Sequence, residues 1–190
     1  DWSLAIAQQF RRLADKGISL FFMPGNRDFL LGKSFAQKAG FHLLSDPSPL
    51  RLHDQTVLLA HGDAYCLLDK AHQRFRRFTR NSVFIRLFLS LPLSLRQSLV
   101  AQARQQSQKN QMQSSRYSPY WDVVPDAFIK DMQLYHVDTL IHGHTHKPGI
   151  REYQREKKIY RQFVLSDWDD FPKILGYNKT GEFNFVQIKF

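Results

Sequence analysis

The chain has 190 residues with 43% hydrophobic and 14% aromatic content, which fits one folded domain with a substantial core and excludes a disordered protein. Its single cysteine, Cys66, excludes an internal disulfide framework and is compatible with a reducing cytosol. The formal net charge of the chain is +10. One segment alone carries a charge of this size, because residues 70–117 contain ten Lys or Arg and no Asp or Glu. Such a segment attracts phosphates, anionic lipid headgroups or nucleic acids, and charge alone does not choose among them.

The first third of the chain predicts two helices and two buried strands. Apolar residues recur at helical spacing in the helices, whereas the strands are short continuous apolar runs. The predicted elements are a helix over residues 2–16 that Gly17 ends, a strand over residues 18–23, a helix over residues 33–39 that Gly40 ends, and a strand over residues 56–60.

The rest of the chain predicts a helical region followed by mixed structure. The helical pattern runs from about residue 68 to residue 116, and Pro92 and Ser94 break it into segments. A helix over residues 123–135, a strand over residues 138–141 and alternating β-structure with a hairpin turn at residues 178–181 follow. This order predicts an α/β layered fold with a helical insertion over about residues 68–117.

Three polar clusters each follow a short apolar strand: residues 25–28 (Gly-Asn-Arg-Asp), residues 61–63 (His-Gly-Asp) and residues 143–146 (Gly-His-Thr-His). In α/β sheets, sites gather at the carboxyl ends of strands, where loops emerge from a rigid base. The glycines let the backbone turn sharply and approach a ligand closely. A single cluster of the first two kinds is usually a turn, but three in this order predict one composite site.

The histidines of the third cluster predict metal binding. Imidazole suits Zn, Fe and Ni, whereas carboxylate and amide oxygens suit Mn and harder ions. A His-x-His pair in extended structure directs both rings to the same face, because side chains alternate along a strand. His144 and His146 are therefore predicted to bind one metal ion, or one ion each of a close pair. Two ions roughly 3.5–4 Å apart are a known arrangement for phosphoryl displacement.

The other histidines give no comparable signal. His142 directly precedes the glycine of the third cluster, where it could support the ligands without being one, and we assign it no role. Cys66 is interpreted as a small apolar filler and not as a nucleophile. The remaining histidines lie in predicted loops or helices without partners nearby in sequence, and we assign them no site role: His42, His53, His72 and His136.

The three clusters resemble the later motifs of the calcineurin-like metallophosphoesterases, which read Gly-Asn-(His or Arg)-(Asp or Glu), Gly-His-(Gly or Asp) and Gly-His-x-His. The resemblance implies a β-sandwich flanked by helices, with the helical insertion as a lid and two divalent metal ions of the Mn²⁺ type at the strand ends. It further implies that Asn26, His61 and His144 bind one ion, while His146 serves the other.

Longer runs are similar to the bacterial UDP-2,3-diacylglucosamine hydrolases of lipid A synthesis. These runs are residues 25–33, the His61 cluster with Cys66 and Asp69 downstream, and residues 140–148, within a similarity that extends from about Gly17 to the end of the chain. The resemblance gives Arg27 and His144 catalytic roles. It places substrate contacts at Asn26, Arg27, Asp69, Ser107, Gln113, Arg116 and His144.

The chain departs from that family's pattern in two places. Residues 107–116 form a stretch about two residues longer than the pattern, with Gln113 where Asn is expected and Arg116 where Lys is expected. The family's first motifs, Asp-x-His and Gly-Asp, should precede Asp1, and their carboxylates include the ligand that bridges the two ions. We therefore expect residues 1–190 to be an incomplete part of one longer domain, inactive by themselves.

The resemblance implies hydrolysis of the pyrophosphate bond of UDP-2,3-diacylglucosamine to UMP and 2,3-diacylglucosamine 1-phosphate. Arg27 would offset charge that develops on the phosphate. The apolar residues between Phe75 and Leu99 form either the seam between helices or a groove for acyl chains. Because a substrate with two acyl chains lies in a bilayer, we expect peripheral attachment to an anionic membrane surface, the cytoplasmic face of the bacterial inner membrane.

Two other functions stay open. The first is a metal-dependent phosphodiesterase or pyrophosphatase acting on nucleotides or nucleic acid, with the basic segment on the phosphate backbone. Because that segment interleaves Arg with Leu and Phe and lacks exposed stacking aromatics in polar surroundings, we expect no nucleic acid partner. The second is a non-catalytic membrane-binding module. The sequence predicts no oligomeric state.

Overall fold

Helices and strands follow one another along the chain in the order of an α/β protein, which confirms the predicted class. A computed structural model describes residues 2–112, 122–168 and 171–188, without the side chains of residues 107–112. The helices are α1 (Trp2–Ala14), α2 (Lys33–Ala39), α3 (Lys70–Thr79), α4 (Ser82–Ser90), α5 (Leu93–Met112) and α6 (Pro125–Leu134). The strands are β1 (Leu20–Phe22), β2 (Phe41–Leu43), β3 (Ser48–Arg51), β4 (Thr56–Ala60), β5 (Thr139–His142), β6 (Gly149–Arg155), β7 (Lys158–Val164), β8 (Lys173–Tyr177) and β9 (Phe183–Gln187).

A five-stranded mixed sheet has the order β3-β4-β5-β7-β6. Its three inner strands run parallel, whereas the edge strands β3 and β6 pair antiparallel with their neighbours. Ala60 at the end of β4 pairs with His142 at the end of β5, and Val164 at the end of β7 pairs with the same His142. The carboxyl ends of three strands therefore lie level at one edge of the sheet, where the His61 and His144 loops emerge.

The first strand lies outside this sheet. β1 pairs in parallel with β2, a three-residue strand that the sequence analysis missed, and the two form a separate sheet. The ring of Phe41 on β2 packs against Phe10 of α1 and Phe22 of β1, with centroid separations of 4.8 and 5.5 Å. The predicted helix over residues 33–39 is confirmed, and it ends at Gly40 because that residue adopts a left-handed conformation with φ of 76°.

Helix α6 closes the main core. Phe128, Ile129 and Met132 are buried on one face of this helix and pack with Leu58 of β4 and Leu140 of β5. The apolar residues at helical spacing that predicted α6 therefore form the face of the helix that packs on the core.

The predicted hairpin at residues 178–181 is confirmed. It joins β8 and β9, which pair antiparallel. Phe183 of β9 packs against Phe163 of β7, with ring centroids 4.8 Å apart. This contact attaches the hairpin to the five-stranded sheet.

Helices α3, α4 and α5 occupy the range in which the sequence predicts a helical insertion. Asn81 separates α3 from α4, because its side chain accepts hydrogen bonds from the backbone N–H groups of Val83 and Phe84. Pro92 separates α4 from α5 as predicted, but the predicted break at Ser94 is wrong. Ser94 is the second residue of α5, where the lack of intrahelical partners for the first N–H groups makes a serine tolerable.

Candidate metal centre at the strand ends

His61 and His144 come together at the carboxyl edge of the sheet. His61 follows β4 directly, and His144 lies two residues beyond β5. The backbone N–H of Gly143 donates to the carbonyl oxygen of His61 over 3.1 Å, which joins the two loops. The imidazole centroids of His61 and His144 are 5.0 Å apart with ring planes inclined by 58°. The two clusters thus form one site, as the sequence predicts for parallel neighbouring strands.

The loop of residues 25–28 lies against the same imidazole. A Cβ atom placed on Gly25 would lie 2.6 Å from His61 Nε2, so only glycine permits this approach. The carboxylate of Asp28 accepts a hydrogen bond from the backbone N–H of Gly25 and closes the loop. Asn26 is half-buried and Arg27 is exposed. The structure therefore places the Asn26 loop beside the Nε2 edge of His61.

Asp63 is a fully buried carboxylate behind His61. Its Oδ1 lies 3.0 Å from His61 Nδ1, and its Oδ2 lies 3.2 Å from Arg76 Nε and 3.7 Å from His72 Nε2. None of these close contacts is aligned as a hydrogen bond within the described part of the chain. Burial alone would raise the pKa of Asp63, but the contacts with His61 and His72 and the charge of Arg76 outweigh it and lower that pKa.

The prediction that His144 and His146 lie in extended structure is wrong. β5 ends at His142, and both residues adopt left-handed conformations, with φ of 68° and 54°. Their side chains therefore do not follow the alternation of a strand. His146 is exposed, and its Nδ1 lies 2.7 Å from Asp167 Oδ2. Positive φ in non-glycine residues is uncommon and concentrates at functional sites, where the surrounding structure sustains the strain.

His144 lies between two other imidazoles. Besides the contact with His61, its ring stacks with that of His72 of α3, with centroids 5.5 Å apart. Burial, followed by the repulsive charge of His61, lowers the pKa of His144 to about 3. His144 is therefore a neutral imidazole, which is the form that binds a metal ion.

The assignment of no site role to His72 is corrected by these contacts. His72 is brought to the site by tertiary packing of α3, which no local pattern around it reveals. One signal was available: His72 and Arg76 are four residues apart on a predicted helix that begins soon after the His61 cluster. That spacing places both side chains on one helix face.

His142 supports the loops from inside the sheet. Its ring is fully buried, its Nδ1 donates to the carbonyl oxygen of Gly143 over 2.8 Å, and its Nε2 accepts from Gln162 Nε2 over 2.7 Å. A Cβ atom placed on Gly62 would lie 2.8 Å from His142 Nδ1, so the His61 loop also packs against this ring. Both ring nitrogens are occupied by protein groups, so His142 is a support and not a ligand.

The remaining predicted substrate contacts are only partly described. Asp69 is buried, and its Oδ1 accepts from the backbone N–H of His72 over 2.9 Å as the N-cap of α3. This cap holds the helix that carries His72 and Arg76 to the site. Of the other three predicted contacts, Ser107 is described only in its backbone. Gln113 and Arg116 lie outside the described residues.

The donor set fits part of a metal centre. His61 and His146 each direct Nδ1 at a carboxylate, Asp63 and Asp167, which is the usual support of a metal-ligating histidine and leaves Nε2 for the ion. His144 adds a neutral imidazole. Over the described residues, no group of three or more His, Cys, Asp or Glu side chains surrounds a common point. The described side chains therefore supply some ligands of a coordination shell without completing one.

Comparisons with known proteins define the family. No family model matches the chain. The chain is 39% identical over 186 residues to a UDP-2,3-diacylglucosamine hydrolase of Pseudomonas syringae pv. tomato, covering 96% of this chain and 74% of the relative. It is 41% identical over 182 residues to one of Xanthomonas axonopodis pv. citri (93% and 74%), and 40% identical over 170 residues to one of Aeromonas hydrophila (90% and 70%). The chain belongs to the family of UDP-2,3-diacylglucosamine hydrolases.

Proposed function

We propose that the protein hydrolyses the pyrophosphate bond of UDP-2,3-diacylglucosamine in lipid A biosynthesis. Water adds to one phosphorus while the P–O–P bond breaks, and the products are UMP and 2,3-diacylglucosamine 1-phosphate. The shared name of the relatives supports the substrate. Imidazoles gathered at the carboxyl ends of parallel strands support hydrolytic phosphate chemistry.

We infer a calcineurin-like metallophosphoesterase domain that comprises residues 1–190 and includes the helical insertion over about residues 68–117. The parallel strands β4, β5 and β7 with level carboxyl ends support this arrangement. So does the order of the motif loops around His61 and His144. No Asp-x-His motif occurs in these 190 residues, so the ligands proposed below come from the later motifs alone.

Two divalent ions of the Mn²⁺ type would, when bound, activate water and polarise the phosphoryl oxygens. Asn26, His61 and His144 would hold one ion and His146 the other. Asp63 and Asp167 orient the imidazoles of His61 and His146 for that task.

Arg27 is assigned to the phosphate. It is exposed and directly follows Asn26, a proposed metal ligand, in the same loop, so its guanidinium is available to a phosphate in solvent and is not used by the core. A guanidinium offers a fork of donors that matches phosphate oxygens and offsets charge developing on them. Asp69, Ser107, Gln113 and Arg116 are proposed to contact the substrate with Asn26, Arg27 and His144.

The observation that carries the substrate assignment is an apolar groove next to the Arg27 loop. A cavity of about 520 Å³ opens between α4 and α5. One wall is Leu30, which follows Arg27 by three residues in the chain, so the groove and the proposed phosphate contact share one loop. Apolar walls with basic groups fit acyl chains attached to a phosphorylated sugar. The lining includes Leu30, Phe88, Leu93 and Val100 with Arg96 and Arg104.

The insertion also exposes several apolar side chains, here together called the insertion face, that we assign to an anionic membrane surface at the cytoplasmic side of the inner membrane. Apolar side chains next to several Arg fit the interface between headgroups and acyl chains. Within the described residues, no helix is both long and apolar enough to cross a bilayer. The insertion face consists of Phe75, Phe78, Val83, Leu87, Leu89, Leu93, Leu95 and Leu99.

The test is turnover by the full-length protein loaded with Mn²⁺. UDP-2,3-diacylglucosamine in mixed micelles, a short diester of nucleic acid and a plain nucleoside diphosphate sugar are compared at equal concentration. Release of UMP from the lipid nucleotide, with at least about a hundredfold preference over the other two, is the expected result.

Two results would contradict the proposal. Faster cleavage of the diester would favour a nucleic acid phosphodiesterase that uses the basic segment on the phosphate backbone. Binding to anionic vesicles that persists after chelation of metal, with no turnover of any substrate, would favour a non-catalytic membrane-binding module.

A further inference from the structure

Arg76 of helix α3 lies between two buried carboxylates from different loops. Its Nη2 donates to Asp46 Oδ2 over 3.0 Å, and its Nε lies 3.2 Å from Asp63 Oδ2. The side chains of Asp46 and Asp63 are only 7% and 0% exposed. A carboxylate removed from water needs a nearby cation or donors, and Arg76 serves both carboxylates at once.

These contacts form a closed network that includes His61. The second oxygen of Asp46 accepts from the backbone N–H of His61 over 3.0 Å. Oδ1 of Asp63 lies 3.0 Å from the ring Nδ1 of the same histidine. His61 therefore donates to one carboxylate from its backbone and lies against the other with its ring, and Arg76 is the group that joins the two carboxylates.

Helix α3 is otherwise attached to the same loop by independent contacts. Gln73 Nε2 donates to the carbonyl oxygens of Asp63 and Cys66 over 2.7 and 3.1 Å. Asp69 caps the helix. Loss of the Arg76 side chain would therefore leave the helix in place, while the two carboxylates around His61 would lose their shared cation.

We propose that Arg76 is a positioning residue for His61: through Asp63 and Asp46 it fixes the imidazole so that Nε2 faces the Asn26 loop, and it ties the first helix of the insertion to the metal centre. This inference rests on the proposed function, because it takes His61 as a metal ligand. Second-layer partners of ligating histidines commonly change metal affinity or activity by about 10–100-fold when removed.

The geometry favours a guanidinium over a simple positive charge. Nη2 donates to Asp46 while Nε lies 3.2 Å from Asp63, so two nitrogens of one planar group serve different carboxylates, which the single ammonium of a lysine cannot do in the same fixed arrangement. Arg76→Lys and Arg76→Met should therefore both disturb His61. Arg155→Met is the matched control, because Arg155 also pairs with a carboxylate, Asp126 at 2.8 Å, on the exposed surface of β6.

The experiment titrates metal-free full-length protein with Mn²⁺ and follows free Mn²⁺ by electron paramagnetic resonance, with no substrate present. We expect Arg76→Lys and Arg76→Met to raise the dissociation constant for Mn²⁺ about tenfold or more, and Arg155→Met to change it less than twofold. In turnover assays at saturating Mn²⁺, kcat should fall for both Arg76 variants. Dissociation constants of both Arg76 variants within twofold of the wild-type value would overturn the inference.

A double variant separates positioning from stability. Arg76→Met leaves the buried carboxylates of Asp46 and Asp63 without their shared cation, and adding Asp46→Asn removes one of these two charges. We expect the double variant to regain thermal stability relative to Arg76→Met while Mn²⁺ affinity stays weakened. If Mn²⁺ affinity returns together with stability, Arg76 acts only in folding and the inference fails.

The failure of the proposed function would look different. Wild-type protein that binds no Mn²⁺ and hydrolyses no lipid nucleotide would contradict the proposed function itself. Wild-type protein that binds Mn²⁺ and turns over, accompanied by Arg76 variants with unchanged affinity, would contradict only the role of Arg76.

Discussion

The imidazole rings of His72 and His144 stack with centroids 5.5 Å apart and planes inclined by 29°. His72 belongs to helix α3, in the range of the predicted insertion, and His144 belongs to the loop after β5. The Nε2 of His72 also faces Asp63, whose other oxygen faces His61. Helix α3 therefore contributes a side chain to the same cluster as His61 and His144, two of the four candidate ligands.

Removal of a candidate ligand should abolish most turnover. In the full-length protein with Mn²⁺ present, we expect His144→Ala and His146→Ala each to lower kcat/KM by at least about a hundredfold, because each removes an imidazole that would hold a metal ion. Steady-state hydrolysis of the lipid nucleotide measures this loss. The control is His53→Ala, an exposed histidine away from the site. Near-normal activity in either His144→Ala or His146→Ala would contradict the ligand assignment.

Arg27 should affect the chemical step more than substrate binding. We expect Arg27→Ala to lower kcat by about 10²–10³-fold, because the guanidinium would stabilise charge that develops on the phosphate. Arg27→Lys should lose less, since it keeps the charge without the fork. Initial rates over a range of substrate concentrations separate kcat from KM. An Arg27→Ala variant with unchanged kcat and a raised KM would show that Arg27 only binds the substrate.

His142 should matter for stability. We expect His142→Ala to lower the free energy of unfolding by about 3 kcal/mol, because it creates a buried cavity and leaves the carbonyl of Gly143 and the amide of Gln162 without their partner. Urea denaturation followed by fluorescence measures this difference. His53→Ala, at an exposed position, should stay within about 0.5 kcal/mol of wild type. A His142→Ala protein as stable as wild type would show that the ring is not the support described above.

The Asp122–Lys147 pair should make a pH-dependent contribution. Burial alone would raise the pKa of Asp122, but Lys147 Nζ at 2.9 Å and the backbone N–H of Val123 outweigh it and lower that pKa below its ordinary 3.8. A carboxyl group with a lowered pKa in the folded state stabilises the fold above its unfolded pKa, and the contribution is lost as the pH falls through the folded pKa.

Asp122→Asn should therefore be less stable than wild type by about 1 kcal/mol at pH 7, and the difference should shrink towards zero below about pH 4. Unfolding by urea at a series of pH values measures it. Asp126→Asn is the control, because Asp126 is 81% exposed in its pair with Arg155. A difference between Asp122→Asn and wild type that does not change with pH would contradict the assigned cause.

The insertion face should mediate attachment to vesicles. Leu87 is 63% exposed on α4. We expect Leu87→Asp to weaken binding to vesicles with anionic headgroups by about tenfold, because it removes apolar contact and adds like charge. Leu134→Asp is the matched control, since Leu134 is 71% exposed at the end of helix α6. Sedimentation with vesicles measures both. Equal loss in the two variants would contradict a specific role of the insertion face.

The sequence predicted those elements whose signal is local. The strand over residues 56–60 and the helix over residues 33–39 match the structure residue for residue, because an apolar run and a terminal glycine mark their ends. β2 and β3 were missed, since Phe41–Leu43 and Ser48–Arg51 are short segments without a clear alternation of apolar and polar residues. Their pairing partners, not their own residues, determine them.

The site was predictable only in part for the same reason. Loops that follow neighbouring parallel strands converge because of the sheet topology. This convergence brings His61 and His144 together. The left-handed conformations of His144 and His146 depend on how the chain leaves β5, so a rule for extended strands does not apply to them. His72 and Arg76 reach the cluster because α3 packs back on the His61 loop, which is a tertiary contact that no motif encodes.

The spacing between Gly25 and His61 gives a way to recognise proteins built on this plan. Any side chain at position 25, even a methyl group, would occupy the space of the imidazole edge, with its first carbon 2.6 Å from Nε2. A homologous protein with a larger residue at this position must hold its histidine in another orientation. Its histidine would then contact a bound ion differently. The presence or absence of glycine at this position can therefore separate relatives that keep this centre from those that have lost or rebuilt it.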